Sequence, residues 1–236
     1  MFFLLGAVGL NVYAALLVLL RAVVYRTHLY RPMLLNIMLS ILPVFILMFG
    51  FLAGALVAQA SYAGAVAVWL LTGIVWLLML PNSSYLITEL NLSHRSNEDS
   101  VPLWYDIILV ITLAMSGVVN TIINVLIVHV IAATTVFGDN FSSLTRPVSW
   151  SAVACVLLLL GFGMYLGRYL RLNSWDIKHP LSFLRKVFTH FRVLANVWAC
   201  LGFTITYAIF LGLIYLIVGG LVIDLGGAIE TLQHET

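Results

Sequence analysis

Three short stretches concentrate side chains able to bind or react. LPNSSYLITEL, Leu80 to Leu90, carries Asn82, Tyr85 and Glu89; PLWYD ends on Asp106; and GRYLRLNSWDIKHP, Gly167 to Pro180, carries Arg168, Arg171, Asn173 and Asp176. If residues 84 to 92 are helical, Tyr85 and Glu89 stand one turn apart, so phenol and carboxylate project together. Arg168 and Arg171 can point to nearly one side of a helix end, and their planar forks suit carboxylate or phosphate. An internal partner for them is available in Glu89, Asp106 or Asp176; an external one would be a lipid phosphate or an anionic substrate. Two chemistries follow: capture of a small polar group, or general-base attack by Glu89 or Asp106 on a substrate whose phosphate the arginines hold.

The elements that position these groups must lie in a membrane. Of the 236 residues, 63% are hydrophobic and 8% charged, and the mean hydropathy is +1.10, a balance that a single soluble core cannot hide. Apolar runs at 2–20, 33–57, 62–80, 104–133, 148–167 and 194–222 are long enough to cross about 30 Å of hydrocarbon. The fold expected is all-α: one integral membrane domain over residues 1–236, a polytopic bundle of six spanning helices with short cytoplasmic interfacial helices. The first run has no basic residue ahead of it and reads as a retained helix, not a cleaved signal. The fourth exceeds a straight crossing, so it tilts or emerges near Phe137 and Gly138.

Orientation comes from the basic residues, which are retained on the cytoplasmic side. Ten of the eleven Lys and Arg fall on one side of such a bundle, and Arg146 alone falls opposite. Both termini are then outside. This places all three polar stretches on the cytoplasmic face.

Pro81 cannot continue the hydrogen-bond ladder of the third run, and Asn82, Ser83 and Ser84 offer caps for a new helix, so a break and restart is expected. On the fourth run Asp106, Gly117, Asn120 and Asn124 fall within about 40° of one direction. This polar stripe enters the membrane. It either lines a cavity or cross-links helices by hydrogen bonds worth on the order of 1 kcal/mol each. His129 lies on another face and is not assigned a ligand or relay role.

After Pro180, Leu184, Val187, Phe188 and Phe191 share a helical face that Arg185, Lys186 and Arg192 avoid. The segment reads as an interfacial helix drawn to anionic lipid headgroups. A net charge of +2 on a membrane-bound chain speaks against a nucleic-acid partner. Cys155 and Cys200 fall inside predicted helices and read as small packing residues, not a disulfide framework. Gly50-x3-Gly54 and Gly163-x3-Gly167 have the spacing of close helix approach. HExxH, CxxC, GxSxG, GxxxxGK and GxGxxG motifs are absent from the sequence. Glu89, Asp106 and Asp176 could converge on a hard cation if the loops fold together.

LPNSSYLITEL, PLWYD and GRYLRLNSWD, in this order and spacing, resemble a bacterial integral membrane family catalogued as domain of unknown function 1361. The resemblance covers most of the chain. It implies a polytopic protein of the bacterial plasma membrane, with Asp more often than Glu at the position of Glu89, and implies no reaction, substrate or cofactor. The residues themselves leave three functions: binding or transport of a small polar solute, ion or lipid headgroup; an enzyme acting on a lipid-linked substrate; or a non-catalytic assembly factor. The first is favoured by the membrane-penetrating stripe.

Overall fold

In hydrocarbon every backbone N–H and C=O must be satisfied within the chain, so apolar runs of this length become helices. A computed structural model describes residues 2–88, 101–138, 143–170 and 180–234. Its helices are α1 (Phe2–Val24), α2 (Arg31–Ala58), α3 (Tyr62–Met79), α4 (Pro81–Thr88), α5 (Leu103–Phe137), α6 (Pro147–Leu170), α7 (Pro180–Phe191) and α8 (Leu194–His234). Among the described residues six spans are long and apolar enough to cross a membrane, with α3 and α4 forming one of them. The protein is a multi-pass helical membrane protein.

Local chemistry sets the helix ends. Ser61 caps α3 by accepting from the Gly64 amide at 3.1 Å, and prolines open α4, α6 and α7, where a missing N–H costs nothing. Gly138, at φ +92°, closes α5 with its amide 3.0 Å from the Thr134 carbonyl. That helix therefore runs to Phe137, as the length of its apolar run requires.

At the junction before α4 the helix ends and restarts as expected, with an interruption only one residue long. Leu80 keeps helical angles, φ −55° and ψ −38°, and the Ser83 amide bonds its carbonyl at 2.9 Å. Helix α3 ends at Met79 and α4 restarts at Pro81, with one residue between them. A proline removes a donor, but its fixed φ suits a first helical turn.

The described chain divides into two compact units, Met1–Asn124 and Val125–Thr236. Unit one packs α1, α2, α3, α4 and the first part of α5. Its core joins Leu17 and Val18 of α1, Met33 and Ile37 of α2, Leu86 of α4 and Leu109 and Leu113 of α5. Gly117 lets α4 lie close against α5: a Cβ there would stand 2.9 Å from both the Leu86 Cβ and the Ser83 carbonyl oxygen. Gly50 and Gly54 do the same for α2 against Thr72 and Trp69 of α3, as their spacing predicts.

Unit two packs α6 against α8. The close approach is at Gly161, where a Cβ would meet the Thr204 carbonyl oxygen at 2.8 Å; Gly163 and Gly167 are half-buried. Cys200 is buried there, whereas Cys155 is exposed, so only one of the two cysteines is a packing residue.

Candidate functional site

Unit one contains a ladder of buried polar groups along α5. At one end Asp106, in the first turn of α5, meets Arg21, in the last turn of α1, with Nε to Oδ1 at 2.9 Å. Arg21 Nη1 also donates to Thr27 Oγ1 at 3.2 Å, in the loop that follows α1. Beside the pair the Tyr105 hydroxyl donates to the Leu17 carbonyl at 2.8 Å, and the Tyr25 ring meets Tyr105 edge-on at 5.1 Å. Asp106 is 4% exposed, so its charge is tolerable only because a guanidinium faces it. Its second oxygen, Oδ2, is buried with no hydrogen-bond partner among the described residues.

Deeper in the ladder Asn11 and Asn120 exchange two amide hydrogen bonds, each 2.9 Å. Asn120 Nδ2 also donates to Ser40 Oγ at 2.9 Å. Ser40 and Ser83 exchange hydroxyl-to-carbonyl bonds of 3.1 and 2.8 Å. Thr121 gives its one proton to the Gly117 carbonyl, so the 2.7 Å contact with Ser84 requires Ser84 to be the donor. Asn124 accepts from Trp76 Nε1 at 2.9 Å and donates to the Asn120 carbonyl at 2.8 Å. Helices α1, α2, α3, α4 and α5 are thus tied through side chains.

Of the residues singled out from sequence, Asp106, Asn120 and Asn124 belong to this ladder. Asn82 and Tyr85 are half-buried on α4 and lie off it; the Asn82 amide meets Met79 Sδ at 3.6 Å. Ser83 and Ser84 are not caps. Their hydroxyls reach sideways to α2 and α5, because a buried hydroxyl needs a partner wherever one is nearest. Arg168 is exposed near the end of α6, in unit two. Glu89, Arg171, Asn173 and Asp176 lie outside the described residues. The arginine bonded to Asp106 is Arg21, which the sequence pattern assigns only to a topogenic loop. Asn11 and Arg21 carry a signal of their own, as polar residues within or ending an apolar run.

Unit two holds two further polar clusters. His129 Nδ1 lies 2.7 Å from the Tyr215 hydroxyl, and the Trp150 ring meets both edge-on. Tyr165 on α6 meets His190 Nε2 at 2.9 Å and the Asn196 carbonyl at 3.1 Å. An apolar groove of about 380 Å³ runs between α6 and α8, past Trp150, Leu157, Ile209 and Gly212. Among the described residues no group of three or more His, Cys, Asp or Glu gathers to hold a metal ion.

Six membrane-competent helices braced by buried polar side chains define a polytopic helical membrane protein. A family model described as protein of unknown function DUF1361 matches residues 35–214, and the chain belongs to that family. No curated protein and no solved structure gives a significant match. The matched stretch contains Asp106 and Asn120, while their partners Arg21 and Asn11 precede it.

Proposed function

We propose that the protein binds or transports a small polar solute, ion or lipid headgroup, taken up at the Asp106 end of unit one, which the positive-inside distribution turns to the cytoplasm. The observation that carries this reading is the half-partnered carboxylate: Asp106 Oδ1 is held by Arg21 and Oδ2 is buried with no hydrogen-bond partner among the described residues. A buried acceptor left unmade costs about 1–3 kcal/mol, which a cation or an N–H or O–H donor would offset. The deeper amides of Asn11 and Asn120 are committed to each other and brace the bundle. Ligand recognition therefore belongs to the end of the ladder, not its middle.

The test is calorimetric titration of the protein in nanodiscs with sodium, methylammonium and ethanolamine. Binding of at least one by the native chain, lost in Asp106→Asn while the unfolding temperature stays within a few degrees, is the expected outcome. Equal titrations of both proteins with all three probes would remove Asp106 from any such site. A second reading, a membrane assembly factor, is favoured by the closed deeper ladder. It predicts that Asn120→Ala costs folding and that Asp106→Asn changes no ligand binding.

A further inference from the structure

Helix α7 has twelve residues, Pro180–Phe191, about 18 Å at 1.5 Å per residue, too short to cross a bilayer. Yet it presents Leu181, Leu184 and Phe188 to the outside at 82%, 58% and 65% exposure. At 100° per residue these three fall within about 60° of one another. They form one apolar face. Arg185 borders it, and the Arg192 guanidinium lies 4.9 Å from the Phe188 ring centroid.

The roll of α7 about its axis is set from the opposite side. The Tyr165 hydroxyl has one proton, and it goes to the Asn196 carbonyl at 3.1 Å. The 2.9 Å contact with His190 therefore has Nε2–H as donor. Asn196 Nδ2 returns a bond to the His190 carbonyl at 2.9 Å, and Phe191 stacks on Phe162 and Tyr165 at 6.3 Å. Tyr165 belongs to α6 and Asn196 to α8. The last turn of α7 is thus pinned to two spanning helices, and Leu181, Leu184 and Phe188 lie on the side left outward.

We infer that this face is a docking surface for an anionic bilayer leaflet, with Leu181, Leu184 and Phe188 seated among the upper acyl carbons and Arg185 and Arg192 held to lipid phosphates. Two features select a lipid leaflet over a protein. Only two residues separate Phe191 from the start of α8 at Leu194, so α7 is held at the end of a spanning helix, where headgroups already stand. The charges bordering the apolar face, Arg185 and Arg192, are basic, with Lys186 adding a third on the helix, which complements phosphate. The Arg192–Phe188 stack joins the two parts: the guanidinium caps the ring that enters the acyl layer and keeps its outer edge for phosphate.

Amide hydrogen exchange across residues 184–192, read in nanodiscs of zwitterionic lipid alone and of zwitterionic plus anionic lipid, tests this. Exchange should slow by about 25-fold with anionic lipid, about five-fold for each of the two arginines. Arg185→Gln with Arg192→Gln should abolish the difference while exchange in α6 stays native. On the unmodified chain about 1 M salt should abolish it as well, so the result does not depend on the variant folding. Exchange insensitive to lipid charge, or a difference that survives both the variant and the salt, would overturn the inference and give the face to a protein.

Discussion

Asp106 and Arg21 illustrate how uneven the two halves of one ion pair can be. Removing the cation strands a buried carboxylate, whereas Asp106→Asn leaves Arg21 a carbonyl and removes one charge. Arg21→Gln should therefore lower stability by about 3–5 kcal/mol, and the double variant with Asp106→Asn should recover part of that loss. Chemical unfolding in mixed micelles measures both; a double variant no more stable than Arg21→Gln alone would show that the pair is not the source. At Asn120 the expected loss on Ala substitution is about 1–2 kcal/mol, because Asn11 and Ser40 each lose a partner. The stripe of Asp106, Asn120 and Asn124 is legible in the sequence, since polar residues at helical spacing in an apolar run must find partners. Their partners are not, because Asn11, Ser40 and Trp76 come from three other helices, and which side chain meets which depends on how those helices cross.

Among the elements, α4 shows most plainly why the sequence alone is insufficient. Pro81 restarts a helix as its sequence predicts, after a single residue with helical angles, but Ser83 and Ser84 turn to neighbouring helices instead of capping their own. The fit of α4 on α5 depends on Gly117. Gly117→Ala would force a Cβ against the Ser83 carbonyl and the Leu86 Cβ, neither of which is the free end of a flexible side chain. A loss of about 1–3 kcal/mol is expected. Limited proteolysis between α4 and α5, which should accelerate in the variant, reads it; unchanged cleavage would mean the helices yield without cost. Gly73, where an added Cβ would meet nothing within 4 Å, is the control, and Gly73→Ala should leave cleavage unchanged.

For the whole molecule, an even number of spans predicts both termini on one side, and the basic residues predict that side to be the outer one. A reporter active only in the cytoplasm, fused after Thr236, should be silent; an active fusion would invert the topology and move the Asp106 end to the opposite face. Helix number, spans and class followed from the sequence because the membrane leaves few choices: apolar runs of this length can satisfy their backbone only as helices. Membrane burial carries no such rule for side chains. The tertiary structure alone decided that Asp106 pairs with Arg21, that Asn11 and Asn120 close on each other, and that Ser83 and Ser84 brace α4 instead of capping it. These bonds join residues as many as 109 positions apart, and a buried donor takes whichever acceptor the packing of helices brings within reach.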